Sequence, residues 1–336
     1  MNQLSAIPEP LKSYRMFRSS NVNVARHAVG QKFGSHDLQI QGGRYPFVAR
    51  YNHAPGERLS LNYLSYGSAV EIEPGELIHY YQVQLPWEGR AEIFSGQERV
   101  VSAPQTAVVL NPVRKVRMIW REGCEQLLLH IHRNALHTAA ERMLGCHLPQ
   151  PVLFRARMPL TSSAKKVWSQ KLLTSFQIAE RNLAFNGTKS RRQTLMEEEL
   201  ITGLLLAHES SISPLLRLMG NGSPNPLVKR ATRFMIDNLS EEMSISQIAQ
   251  DAGCSVRTIQ TAFRERMSCT PMQFLQSARL NYAHYLLHSA PKDKLVRNIA
   301  YEAGFSHLGR FSIAYRKAFG TRPGTVLTAE TNAADR

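Results

Sequence analysis

Acidic side chains are scarce in this 336-residue chain, where 26 Asp and Glu stand against 41 Lys and Arg for a formal net charge of +15. A pI near 9.9 is the footprint of a chain that meets phosphate groups, although composition alone does not separate nucleic acid from an anionic membrane. Long hydrophobic runs are missing too. The longest, around Leu200 to Ala207, is far short of the roughly 20 residues of a membrane-spanning helix. The first 30 residues carry polar and charged groups throughout, so export is not expected and the cytoplasm is. Cysteine is sparse: Cys124, Cys146, Cys254 and Cys269 form no C-x-x-C pair, which argues against a disulfide framework or structural zinc and for ordinary buried thiols. No G-x-S-x-G, H-E-x-x-H, Walker A or dinucleotide glycine fingerprint occurs, so nucleophilic and phosphate chemistry have no visible seat. What is present, 43% hydrophobic and 20% charged residues, suits a soluble globular protein of about two domains.

Basic residues do not mark one half. Residues 227–336 hold 15 basic and 9 acidic side chains, and the rest of the chain is also net positive, so local sequence must locate the partner. The strongest breaker is 220–226, Gly-Asn-Gly-Ser-Pro-Asn-Pro, read as a linker between a domain at 1–219 and one at 227–327, with 328–336 a flexible tail. Before it, short Val-, Ile-, Leu- and Tyr-rich segments (59–64, 80–85, 91–94, 107–110 and 126–132) are punctuated by Gly and Pro, the pattern of a small β-sandwich or barrel. From 134 to 210 the apolar period becomes helical, over 134–144, about 163–184 and about 191–208. The two long helices are the candidate homodimer contact.

An internal repeat dominates the last hundred residues. Ile248-Ala-Gln-Asp-Ala-Gly253 recurs 51 residues later as Ile299-Ala-Tyr-Glu-Ala-Gly304, and Ala262-Phe-Arg264 echoes as Ala314-Tyr-Arg316. Each copy reads as helix, tight turn, helix. Ser244 with Gln247 forms a capping box, Gly253 supplies a left-handed cap, and Ser255 caps a second helix carrying Val256, Ile259 and Phe263 on its apolar side. Thr270-Pro-Met-Gln273 opens a third helix reaching about His288, a strut of about 27 Å. Such a strut can hold two recognition helices about one DNA turn, ~34 Å, apart.

These residues carry a resemblance. Residues 227–327 resemble the DNA-binding domain of AraC/XylS-type transcription regulators through Ile248-Ala-x-x-Ala-Gly253, Thr270-Pro-Met-Gln-Phe-Leu-Gln-Ser-Ala-Arg-Leu280 with Ala283 and Leu286-Leu287, Val296-x-x-Ile-Ala-x-x-Ala-Gly-Phe305, and Phe311-Ser-x-Ala-Tyr-Arg-Lys-Ala-Phe-Gly-Thr-Arg-Pro-Gly324. Tyr80-Tyr-Gln-Val-Gln-Leu-Pro-Trp-Glu-Gly-Arg-Ala91 and the Asn111-Pro112 turn look like the cupin-like sensor of that family. The expected class is α+β and multidomain, a cupin-like barrel with helices followed by an all-α double helix-turn-helix. The resemblance implies a homodimeric activator of catabolic genes, bound to promoter DNA near RNA polymerase. Its effector is expected to be small and organic, with an aromatic carboxylate as the suggested case.

On the first recognition helix, Ile259 and Phe263 face inward, which leaves Arg257, Gln260, Thr261 and Arg264 on the opposite ridge. Arg suits guanine, Gln adenine and Thr the thymine methyl. The matching positions of the second copy are Gly309, Ser312, Ile313 and Arg316. Ile313 departs from the family, which often carries Arg there; it either meets a thymine methyl or packs on protein, while Arg310 and Arg316 anchor phosphates. In the barrel, Tyr63, Tyr66, His79, Tyr81 and Trp87 are candidates to line an effector cavity, with Arg50 as counter-ion, although alternation does not reveal which face points inward. His130-x-His132 with Glu141 faintly suggests metal ligation, but the spacing is not the usual cupin motif and structural histidines are favoured; no cofactor, metal or catalytic residue is assigned. Two rival readings stay open: a metal-dependent cupin enzyme with a DNA-binding appendage, and a ligand-independent architectural DNA-binding protein. Cys254 and Cys269 flank the first recognition helix, where ordinary packing is expected over a redox role.

Overall fold

The computed structural model describes residues 9–327 except 35, 75–76, 78, 96–97, 113–114, 146–147, 149, 219–224, 268, 290–293 and 320. The expected tail, most of the expected linker and Cys146 therefore lie outside the described residues. The chain divides into two compact units, Met1–Leu136 with Phe154–His208, and His137–Leu153 with Glu209–Arg336.

The first unit is rich in antiparallel sheet. In chain order it contains β1 (Arg15–Ser19), α1 (Val22–Phe33), β2 (His36–Gly42), β3 (Ala49–Ala54), β4 (Leu59–Ser65), β5 (Ala69–Pro74), β6 (Tyr80–Glu88), β7 (Ala91–Ser95), β8 (Glu98–Ser102), β9 (Thr106–Leu110), β10 (Val116–Trp120) and β11 (Glu125–His132). The start of α2 (Arg133–Leu144), then β12 (Arg157–Pro159), α3 (Ser163–Glu180) and α4 (Arg191–Ala207) complete it. Seven strands pair in the order β1-β3-β4-β11-β6-β9-β12, and five in the order β2-β5-β10-β7-β8. A bridge between Ala103 and Thr106 turns the corner from one sheet to the other.

Alternation decides what each strand buries. Even-numbered residues of β4, β6 and β11 face the five-stranded sheet: Leu64, Tyr66 and Leu128 share one core with Leu38, Val70, Ile72, Ile93, Met118 and Trp120. Odd-numbered residues of the same strands are also buried, among them Leu61, Tyr63, Val83, Leu85, Leu127 and Leu129. Both faces of the large sheet are thus covered, and these strands read as near-continuous apolar runs. Each fully buried Leu or Phe adds about 1.5–3 kcal/mol. The five-stranded sheet buries only one face. Its outer face carries charged pairs, Arg117 with Glu71 and Arg121 with Glu92, so the alternating strands β5 and β10 escaped the sequence reading.

A buried carboxylate ties helix to sheet. Glu197 of α4, whose side chain is 1% exposed, accepts the backbone N–H groups of Glu57 (2.9 Å) and Arg58 (3.1 Å), the Arg58 Nε–H (3.2 Å) and the Gln193 amide (3.0 Å).

The second unit is helical: α5 (Ser213–Leu218), α6 (Pro226–Asp237), α7 (Ile245–Ala252), α8 (Val256–Met267), α9 (Pro271–Ser289), α10 (Val296–Glu302) and α11 (Leu308–Phe319). Pro226, read from sequence as linker, is the first residue of α6, capped by Asn225; at that position the missing N–H of proline costs nothing. Leu280, Ala283 and Leu287 of α9 share a core with Ile299, Ala300, Ala303, Phe311 and Tyr315.

Candidate nucleic-acid interface and sensor interior

The first helix pair is held by the caps its sequence announces. The Ser244 hydroxyl accepts the Gln247 N–H at 3.2 Å, and the Gln247 side chain accepts the Ser244 N–H at 2.8 Å. Gly253, at φ 71°, ends α7 in the left-handed conformation, which lets Cys254 donate its N–H back to the Ala249 carbonyl at 3.0 Å. The second copy repeats the turn, with Gly304 at φ 82° and Phe305 donating to Ala300 at 2.9 Å. Only the entry differs: Leu295 precedes α10 with no side-chain cap. Between the pairs runs α9, begun by a reciprocal Thr270–Gln273 cap.

On α8, Ile259, Ala262, Phe263 and Met267 are buried, whereas Arg257, Thr261 and Arg264 are exposed and Gln260 half-buried. These four positions, spaced 0, 3, 4 and 7, lie on one face. On α11, Phe311 and Tyr315 are buried; Arg310 and Arg316 are exposed, Ser312 is half-buried and Ile313 is 74% exposed. Among the described residues no ion pair engages Arg257, Arg264, Arg310 or Arg316. At that exposure Ile313 is not part of the packed core among the described residues. Cys254, read as buried, is only half-buried, whereas Cys269 is buried.

In the first unit the six sequence candidates fall on two faces. Tyr66 alone lies in the core between the sheets. Arg50 points the other way, bonded to Glu125 at 2.5 Å beneath a Tyr63 hydroxyl that donates to the same carboxylate at 2.8 Å. Tyr81 packs edge-on against Phe154, Trp87 lies beside Leu127, Leu173 and Phe176, and His79 is exposed. The parity of β4 and β6 makes this separation unavoidable, since residues 63, 79, 81 and 87 are odd-numbered and residue 66 is even.

The interior instead collects polar residues that the sequence reading passed over. Gln84 and Gln126 are fully buried, Gln82 and His130 nearly so. The Gln84 amide reaches only the Met118 sulfur (3.0 Å) and the Gln126 amide only the Cys124 sulfur (3.3 Å). Among the described residues, Gln84 Oε1, Gln126 Oε1, Trp120 Nε1, His130 Nε2 and His36 Nε2 have no hydrogen-bond partner. Buried groups left so cost stability. A signal existed: Gln82-x-Gln84 and Gln126-x-x-x-His130 place polar residues at even-numbered positions among apolar neighbours.

His130, stacked on Tyr80 at 4.5 Å and edge-on to Phe33 at 4.2 Å, is held neutral. Burial, reinforced by the neighbouring His53 and His132, pushes its pKa down to about 3; burial likewise lowers His36 and His53. An unfolded histidine titrates near 6.5, so below that pH the unfolded chain binds a proton that the folded one refuses. Stability is complete above pH 6.5 and falls on acidification by about 1.4 kcal/mol per unit for His130 alone. Urea denaturation at pH 7.5 and 5.5 should show this loss, and His130→Gln should shrink it.

Known protein families match both parts of the chain. An AraC-binding-like domain matches residues 25–206 and a helix-turn-helix domain matches residues 236–329. A probable thc operon regulatory protein of Rhodococcus erythropolis is 28% identical over 334 residues, covering 96% of this chain and 98% of the relative. The XylDLEGF operon transcriptional activator of Pseudomonas putida is 26% identical over 314 residues, covering 89% and 90%. The crystal structure of the AraC-like transcriptional activator CuxR covers 81% of this chain and 96% of its own, at 14% identity and a TM-score of 0.42. With an AraC-binding-like match over more than half its length, joined to the double helix-turn-helix built above, the chain belongs to the AraC/XylS family of DNA-binding transcription regulators and is not an enzyme.

Proposed function

We propose that this regulator activates its target genes when a small organic effector occupies the space between the two sheets, and that α8 and α11 read the operator through Arg257, Gln260, Thr261, Arg264, Arg310, Ser312, Ile313 and Arg316. The observation that carries the DNA reading is the pair of exposed, arginine-bearing ridges without carboxylate partners. Arginines exposed on the face opposite the packed side are placed to meet phosphates and base edges. The domain division at 220–226, action in the cytoplasm and contact with RNA polymerase belong to the same reading. Homodimers would form through α3 and α4, where Val167, Leu195 and Leu206 are 52%, 56% and 69% exposed. An effector that binds one state of the sensor more tightly shifts the population toward it.

A gel-shift panel of single-base operator variants tests the readout. Arg257→Ala should relax preference at one base position at a cost of about 1–3 kcal/mol; uniform weakening over the whole panel sinks the assignment. Ile313→Ala should lower preference at a thymine while leaving the salt dependence of binding unchanged, since no phosphate contact is lost.

A further inference from the structure

The unpartnered polar atoms of the sensor are not scattered. Phe33, His36, Tyr66, Tyr80, Trp120 and Leu128 help to surround one cavity of about 30 Å³, and the Trp120 Nε1–H and His36 Nε2 on its wall lack partners among the described residues. The two have opposite characters. Trp120 can only donate. His36 Nδ1 lies 3.3 Å from the Gly34 carbonyl, a bond in which the ring N–H donates, so Nε2 is left as an acceptor. Gln84 and Gln126 add two further buried carbonyl oxygens on the same side of the sheet.

The cavity wall also lacks something: no Lys or Arg is among its lining residues. Arg50, the cation expected from sequence, is on the far side of the sheet and already paired with Glu125. Arg26, the nearer cation, gives Nη2 to the Leu38 carbonyl (3.0 Å) and lies 3.9 Å from Asp37; its buried Nε–H has no partner among the described residues, but Arg26 is not among the residues that line the cavity. A carboxylate entering this space would be a buried charge without a counter-charge, which is far more costly than a buried dipole with its hydrogen bonds made.

We infer that the effector is an uncharged aromatic molecule carrying a hydrogen-bond acceptor and a donor on one group, of the aromatic amide class, and not an aromatic acid. This rests on the sensor reading above. The acceptor takes the Trp120 N–H, the donor meets His36 Nε2, and the ring lies among Phe33, Tyr66 and Tyr80. A cavity of about 30 Å³ holds a water molecule but not an arene, so binding opens it, with the Val29 and Phe33 end of α1 as the wall that carries no ladder hydrogen bonds. Burial keeps His36 neutral and fit to accept.

The test uses the full-length protein and four probes matched in shape, benzamide and salicylamide against benzoate and salicylate, at pH 7.5, read by calorimetry and melting temperature. The amides should bind saturably and raise the melting temperature, and the acids should bind at least tenfold more weakly. Trp120→Phe, which keeps the ring and removes the donor, should weaken amide binding about tenfold, with folding checked by circular dichroism; His36→Phe should do the same from the acceptor side. Acids that bind as well as or better than amides overturn the inference, and so does heat from no probe at all. Operator binding measured in parallel separates the two failures: an intact gel shift with silent amides removes the ligand class and leaves the regulator, whereas an absent shift removes the regulator reading itself.

Discussion

Gly304→Ala should destabilise the helical unit by about 3 kcal/mol or more, lowering its melting temperature by more than about 10 °C and abolishing operator binding at growth temperature. Two costs add. The residue sits at φ +82°, a conformation that costs an L-amino acid roughly 1–2 kcal/mol. A Cβ there would also stand 2.3 Å from the Leu239 carbonyl oxygen and 2.6 Å from Arg279 Nε, and neither can retreat freely. Arg279 donates to the Leu239 carbonyl at 2.9 Å and to the Glu241 carbonyl at 2.5 Å, and hydrogen bonds from a charged donor are worth about 1.5–3 kcal/mol. The control is Gly309→Ala in α11, where no atom lies within 4 Å of the new methyl; helix propensity predicts a gain of up to about 1 kcal/mol. Thermal melts of the two variants should move in opposite directions.

Glu197→Ala should cost the sensor about 3–5 kcal/mol, the usual penalty for removing one member of a buried ion pair. The loss exceeds that of a surface bridge because four donor bonds go together: two backbone N–H groups of the 57–58 turn, the Arg58 Nε–H and the Gln193 amide, of which only the Arg58 guanidinium keeps other partners, Glu198 and the Thr194 carbonyl. The turn cannot rearrange easily. Gly56 approaches so closely that a Cβ would stand 2.5 Å from Glu197 Oε1 and 2.3 Å from the Leu59 carbonyl. Glu197→Gln, which keeps one acceptor oxygen, should lose roughly half as much. Urea denaturation followed by tryptophan fluorescence reads both. A loss below about 1 kcal/mol for the alanine variant would place this contact among ordinary surface bridges.

The helical unit was legible because its signals are local. Ser244, Gly253, Thr270 and Pro271 each act within four residues of themselves, so the caps could be read without knowing what packs above them. The second copy was legible only through its likeness to the first, since Leu295 offers no cap. The sensor was harder for a definite reason. β4, β6 and β11 bury both faces, so their apolar runs carry no phase, and aromatic residues on either face looked equivalent. Choosing Tyr63, Tyr81 and Trp87 by size and ring put them on the opposite face of the sheet, Tyr63 beside Arg50 and Glu125, Tyr81 on Phe154 and Trp87 beside α3, because the face was the missing information. The phase was carried by the polar exceptions, Gln82, Gln84, Gln126 and His130, which a search for large hydrophobic liners discards. Helix α1 was missed because Gly30 lies within it and only Ala25 and Val29 are buried.

The α9 rod has a meaning for the genome as well as for the protein. Nineteen residues without an internal glycine or proline, about 28 Å in length, leave no hinge within the rod itself at which the two halves could adjust to a stretched target. A single inserted base pair rotates one contact block about 34° around the duplex axis relative to the other. On the proposed readout, promoters under this regulator are constrained in phase: substitutions between the two blocks should be tolerated, whereas insertions and deletions there, which silence the site at once, should be far rarer.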